Sequence, residues 1–197
     1  MPDQLGSNNA RLAVDELFAV YRSLGSEAYR GEDVSQLDHA LQAAHLAEQA
    51  GAPADLIFAA LLHDYGHYVH DMDGRDIMAG IHDHHDARGA DALAAWLPPT
   101  VTEPIRLHIE AKRYLCAIDP DYLVGLSLGS RYSLGVQGGP MSDSEAETFA
   151  RRPHALAAAR VRRWDDGAKV AGALVPDLDH YRALLETMMG ESVNAQD

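Results

Sequence analysis

The sequence predicts an all-α fold, and three observations predict it. Apolar residues recur at helical spacing along most of the 197-residue chain. The breaks between those stretches carry helix caps, prolines and glycines. No segment sustains the alternation of β-branched and polar residues that a half-buried strand requires. Apolar residues make up 47% of the chain, enough for a substantial core. The length fits one domain over 1–197, with a core from about 10 to 190 and a disordered tail over 191–197.

Each element follows from its own signal. Ala10 to Leu24 places Leu12, Val14, Leu17, Phe18, Val20 and Tyr21 at helical spacing and stops at Gly25. Ser35 to Ala50 repeats Leu37, Ala40, Leu41, Ala44 and Ala47; Ser35 with Asp38 resembles a capping box, and Gly51 is the stop. Pro53 suits a first helical turn, and the run after it is apolar on nearly every face to Leu62, which predicts a central helix. A helix over His85–Leu97 closes at Pro98-Pro99, and Thr102-Glu103-Pro104 opens another that runs to about Ile118. Ser142 with Glu145 forms a second capping-box pattern, and helices near Pro153–Ala168 and Asp177–Met189 complete the set. Residues 26–34, 69–84 and 136–140 read as irregular, and no repeat or linker divides the chain.

Charge narrows the choice of partners. Asp and Glu outnumber Lys and Arg 30 to 16, a formal charge of −14. A field of that sign repels nucleic acid and anionic membranes, so neither is expected as a partner, and any anionic ligand must be held by local cations or a metal. The start of the chain is polar, and the longest aliphatic run, Leu56 to Leu62, is too short to span a bilayer, so a cytoplasmic protein is expected. The single cysteine, Cys116, excludes a disulfide framework and a thiolate zinc site. Histidine is abundant instead, with 11 residues.

The chemistry concentrates around those histidines. His63-Asp64-Tyr65-Gly66-His67 directly follows the buried run, where an unpaired carboxylate would cost many kcal/mol. A metal ion offsets that cost, and one carboxylate can bridge two ions. His39 lies one helix upstream beside the apolar stripe, where a lone histidine is more often a core residue than a ligand. His82-Asp83-His84-His85 opens a later helix, His108 sits between Leu107 and Ile109, and Trp164-Asp165-Asp166 puts a carboxylate beside an aromatic side chain that reads as packing. Singly these are weak. Together, one histidine or carboxylate from each of five successive helices is what an all-α metal site needs. Imidazole plus carboxylate suits iron, manganese or zinc. Lys112 lies one helical turn after His108 on the same face, where its ammonium can reach a ligand at the metal. Gln137-Gly138-Gly139-Pro140-Met141 reads as a tight turn, and Ser127 and Ser130 before it as hydroxyl donors to a ligand or as helix caps.

The order His39 … His63-Asp64 … Asp165 resembles the HD-domain superfamily, mostly metal-dependent phosphohydrolases, and His85 and His108 resemble its two-metal branch. The likeness narrows to the HD-domain phosphonate oxygenases through Tyr29-Arg30-Gly31-Glu32 followed by Gln36 and His39, through the His63–His67 motif, His108 with Lys112, Gln137–Met141, and Arg163-Trp164-Asp165, and it spans about 17–189. That resemblance implies an HD-domain helical bundle and a di-iron site, Fe(II)/Fe(III), with O2 as co-substrate. One iron would be held by His39, His63, Asp64 and Asp165, the other by Asp64, His85 and His108, with Asp64 bridging. Tyr29 would fill the open position of the first iron and leave when substrate arrives. Glu32 would face a substrate ammonium group, His67 and Lys112 the phosphonate oxygens, with Ser127, Ser130 and Gln137 in the same substrate site. The implied reaction is oxidative C–P cleavage of a 1-hydroxy-2-(amino or trimethylammonio)ethylphosphonate, giving glycine or glycine betaine plus phosphate, downstream of an oxygenase that hydroxylates the α carbon. Tyr65, Arg75 and His84 look particular to this chain, and which substrate they favour is open in the sequence. Two rivals share the ligands: an HD phosphohydrolase acting on a nucleotide or other phosphate ester, and a non-catalytic HD module that binds and signals.

Overall fold

A computed structural model describes residues 3–26, 29, 33–69 and 84–194, and among these the regular structure is helical throughout. The helices are α1 (Asp3–Leu24), α2 (Gln36–Gln49), α3 (Ala54–Leu62), α4 (His85–Leu93), α5 (Pro99–Ile118), α6 (Pro120–Gly125), α7 (Leu128–Val136), α8 (Asp143–Ala150), α9 (Ala155–Gly167) and α10 (Leu178–Asn194). A short 3-10 turn, Tyr65–His67, follows α3.

The caps expected from the sequence are present. Ser35 and Asp38 close a reciprocal capping box on α2, Ser142 and Glu145 one on α8, and Gly51 takes the left-handed conformation (φ +63°) after α2. Leu56 to Leu62 are all buried, so α3 is the central helix, covered by α2, α5 and α9. α1 pairs with α10, and α4 lies along α5. These elements share one apolar core that includes Phe18, Phe58, Leu61, Ile105, Val161 and Leu185.

Four boundaries differ from the sequence reading. α1 starts at Asp3 rather than Ala10, because the polar lead-in has no apolar stripe to betray a helix. α4 ends at Leu93 and α5 begins at Pro99, not Thr102; Pro98 is its N-cap, Pro99 needs no donor in the first turn, and Pro104 lies inside. α6 and α7 occupy a stretch for which the sequence predicts no helix, since α6 is only six residues long and the nine of α7 include two glycines and two serines that break up its apolar pattern; Asp119 caps α6 through Tyr122 N (3.1 Å) and Ser127 caps α7 through Ser130 N (3.2 Å). α10 continues past Glu191 to Asn194, into the segment expected as a tail. The turn at 136–140 is as expected, with Gly138 and Gly139 at positive φ. Most of the irregular stretch 69–84 lies outside the described residues.

Gly66 sets the distance between two of these elements. A β carbon there would lie 1.9 Å from the His85 carbonyl oxygen, so only glycine lets the 3-10 turn press against the first turn of α4. That contact brings the His67 and His85 rings to 3.9 Å between centroids.

Candidate metal centre

Five helices deliver buried polar side chains to one point. His39 comes from α2, His63 is the C-cap of α3 with Asp64 next to it, His85 opens α4, His108 lies in α5 and Asp165 in α9, and all six are buried. The ring orientations are fixed from behind. His39 Nδ1 donates to Ala168 O (2.9 Å), His63 Nδ1 to Ala60 O (2.8 Å) and His108 Nδ1 to Ile105 O (2.7 Å). Each bond places the proton on Nδ1 and leaves the Nε2 lone pair facing inward, the second-layer arrangement that prepares imidazole to bind a metal.

The inward atoms form two sets divided by one carboxylate. His39 Nε2 and His63 Nε2 stand 3.1 Å apart, 3.7 and 3.4 Å from Asp64 Oδ2, with Asp165 Oδ1 3.4 Å from His39 and Oδ2 3.6 Å from His63. On the other side Asp64 Oδ1 lies 3.4 Å from His85 Nε2, 3.7 Å from His67 Nε2 and 3.9 Å from His108 Nε2, and the His85 and His108 nitrogens are 3.2 Å apart. His39, His63 and Asp165 form one cluster of metal-ligating atoms and Asp64, His67 and His85 another. Asp64 thus turns one oxygen to each cluster.

The donor set fits a cation. Asp64 Oδ2 and Asp165 Oδ1 are buried without a hydrogen-bond partner, a costly state that a metal removes. Burial disfavours ionising these carboxyls, yet His63 beside Asp64 and Arg162 beside Asp165 outweigh it and hold both well below the usual carboxylate range. Burial likewise opposes the His63 imidazolium, but Asp64 and Asp165 lift its pKa to about 9. His108 goes the other way, held neutral by burial and then by His85 and His63. In the polypeptide alone a proton on His63 balances the carboxylates; a metal ion supplies that charge instead and frees Nε2 to ligate. Cys116 packs elsewhere, with Leu126 and Leu134, so the donors are nitrogen and oxygen only.

A cationic layer adjoins the first cluster. The Lys112 ammonium donates to Ser133 Oγ (2.8 Å) and Lys169 Nζ to Ser130 Oγ (2.8 Å), the two serines being one turn apart on α7. Ser130 Oγ donates to Asp166 Oδ1 (3.0 Å), and Arg162 pairs with both Asp165 and Asp166. Burial, then Arg162, lowers the Lys112 pKa to about 7. The Tyr29 ring stacks on His39 (centroids 3.9 Å, planes at 20°), and burial, then Asp64 and Asp165, push its phenol well above the ordinary value.

The structure therefore brings together His39, His63, Asp64, His85, His108 and Asp165, with His67, Tyr29 and Lys112 beside them. Ser127 is the cap of α7, Ser130 lies in the cationic layer, and Gln137 ends α7 with its side-chain oxygen buried and unpartnered. Glu32 and Arg75 lie outside the described residues, and His84 is an exposed residue ahead of α4 at φ 50°. Tyr65 packs against Tyr21 and Tyr68 in the core, and Trp164 packs on the core beneath Arg160. Arg162, Lys169 and Ser133 belong to the site without standing in any of the sequence motifs, and Asp166 stands in one only as the neighbour of Asp165; the spacing of Arg162 one turn before Asp165 and Asp166 carries the remaining signal.

The HD domain family matches residues 37–146, more than half of the chain. Hydroxymethylphosphonate dioxygenase of Gimesia maris is 45% identical over 180 residues, covering 91% of this chain and 89% of that protein. [1-hydroxy-2-(trimethylamino)ethyl]phosphonate dioxygenase (glycine-betaine-forming) of Leisingera caerulea is 36% identical over 195 residues, covering 98% of each. The chain belongs to the HD-domain phosphonate oxygenases. A third relative, the uncharacterized protein L432 of Acanthamoeba polyphaga mimivirus, is 33% identical over 92% of this chain and 84% of its own length. This HD-domain phosphonate oxygenase is accordingly a metal-binding enzyme that uses O2. Among its described residues no helix is long and apolar enough to cross a membrane.

Proposed function

We propose that this enzyme cleaves the C–P bond of a small 1-hydroxyalkylphosphonate with O2 at a pair of iron ions. The observation that carries the reading is the division of Asp64 between two imidazole clusters beside buried ammonium groups, since a dianionic substrate in a chain of net charge −14 requires both. Hydroxymethylphosphonate is the first candidate, because the relative with 45% identity bears that substrate in its name. The 2-amino and 2-trimethylammonio ethyl compounds expected from the sequence come second, the latter supported by the relative with 36% identity. Conversion of C1 to a carboxylate makes glycine betaine in that relative; with hydrogen in place of the side chain the same change turns hydroxymethylphosphonate and O2 into formate, phosphate and a proton.

His39, His63, Asp64 and Asp165 would hold one iron and Asp64, His85 and His108 the other. When bound, the metals supply the redox chemistry and the Lewis acidity. The polypeptide does the rest. Lys112 and His67 bind the phosphonate oxygens, with Ser130, Ser127 and Gln137 on the substrate side; the recognition of a C1 substituent by Glu32 is carried by the resemblance alone. Tyr29 covers the first metal position over His39 until substrate displaces it. The neutral His108 and the carbonyl-anchored rings keep the ligand frame rigid, so that the substrate, and not the protein, adjusts. The substrate must already carry a C1 hydroxyl, which places this step after a C1-hydroxylating phosphonate oxygenase, in the cytoplasm.

The test is phosphate release from the three phosphonates by the iron-loaded chain, in air and under anoxia, with metal analysis alongside. We expect O2-dependent release, formate from hydroxymethylphosphonate and close to two irons per chain. Release that persists under anoxia, or that occurs only from nucleotides and phosphate esters, would overturn the oxygenase reading in favour of an HD phosphohydrolase using the same ligands.

A further inference from the structure

Lys169 lies two residues beyond the end of α9, just after Ala168, whose carbonyl anchors His39. Its side chain is nearly buried and touches three parts of the centre at once. The ammonium lies 5.8 Å over the Tyr29 ring, 2.8 Å from Ser130 Oγ and 3.6 Å from Asp166 Oδ1. The Tyr29 ring is at the same time stacked on His39 at 3.9 Å. An ammonium within about 6 Å of an aromatic face is attracted to it, more strongly where water is excluded. Ser130 and Asp166 in turn fix the ammonium: Asp166 is gripped by Arg162, which also pairs with Asp165. The chain of contacts therefore runs from Asp165 through Arg162, Asp166 and Lys169 to Tyr29, and returns to the centre through His39.

We propose that Lys169 is a positioning residue that clamps the Tyr29 ring on His39 and thereby holds its phenol at the metal centre. The clamp deepens the proposed function and rests on its placing of Tyr29 at the first metal. Lysine suits the task because one compact ammonium can donate to Ser130 and pair with Asp166 while facing the ring, whereas an apolar side chain of the same length can do neither.

The phenol offers a readout independent of turnover, since a phenolate bound to ferric iron absorbs visible light. The full-length chain is loaded with iron, oxidised, and compared as wild type, Tyr29→Phe, Lys169→Met and Lys169→Arg. Circular dichroism and melting temperature establish that each variant is folded. The wild type should show a band that Tyr29→Phe abolishes. In Lys169→Met the ratio of bound to released Tyr29 should fall about tenfold, the scale of one desolvated cation–π contact. Lys169→Arg, which keeps the charge, should restore most of it. A full band in folded Lys169→Met overturns the clamp, as does a wild-type band indifferent to Tyr29→Phe. Failure of the oxygenase reading shows separately, as absence of O2-dependent phosphate release from a wild type whose band behaves as described.

Discussion

Asp64 carries more of the site than any other residue, since its two oxygens belong to different clusters. Asp64→Asn should therefore lower metal content at both positions rather than one, and cut phosphate release by at least about a thousandfold, on the scale of ΔΔG‡ near 4 kcal/mol. Metal analysis of that variant beside His108→Ala, which should lose mainly the second ion, checks the division. Lys112 gives a pH signature. Burial and Arg162 hold its pKa near 7, so the fraction able to pair with a phosphonate dianion shrinks as pH climbs through 7. KM should rise with pH above that point in the wild type and stay flatter in Lys112→Arg, whose guanidinium remains charged. The linkage to folding has the opposite sense: above pH 7 the unfolded chain retains a proton the folded protein has lost, so this group favours folding increasingly as pH rises toward the ordinary lysine value.

The supporting elements are set by a few close contacts. Gly66→Ala would push a methyl into the His85 carbonyl and drive the 3-10 turn off α4. It should cost about 1–3 kcal/mol, the range for overpacking, and it should weaken metal binding as well, because His67 and His85 sit on the two elements forced apart. Ser35→Ala is the useful contrast. It removes the cap of α2 and should cost about 1 kcal/mol without touching His39, so metal affinity stays while the melting temperature falls. Elements with such local signals are legible in the sequence: α2 and α8 through capping boxes, α3 through its unbroken apolar run. α6 and α7 are not, α6 being short and α7 having its apolar pattern broken by glycine and serine, and the Lys169–Tyr29 contact is not, because it joins residues far apart in the chain. The six histidines and carboxylates that converge are legible by order alone, but the sharing of Asp64 between two clusters becomes geometry only when α3, α4, α5 and α9 are packed.

At the level of the whole molecule, the helices that bury the candidate ligands also form the core, so metal binding and folding are one problem. α2, α3, α5 and α9 pack together around Phe58 and Leu61 and each ends in or contains a residue of the centre. Bringing them together confines Asp64 Oδ2 and Asp165 Oδ1 without hydrogen-bond partners and sets His39 and His63 nitrogens 3.1 Å apart. The core therefore pulls together groups that repel or go unsatisfied unless a cation lies between them, and the cost of an unpaired buried polar atom, about 1–3 kcal/mol each, falls on the apoprotein alone. Metal should accordingly stabilise the fold beyond its catalytic use. At a hundredfold excess over Kd, binding to the folded state adds about 2.7 kcal/mol per site. For a chain of this size each kcal/mol moves the melting temperature by about 2–4 °C. Chelator treatment should lower the melting temperature of the wild type by about 5–10 °C per ion lost, ferrous iron should restore it, and Asp64→Asn should melt at the same temperature with and without metal. A wild type whose melting temperature ignores the chelator would mean that the ligand frame is held by its carbonyl-anchored histidines alone.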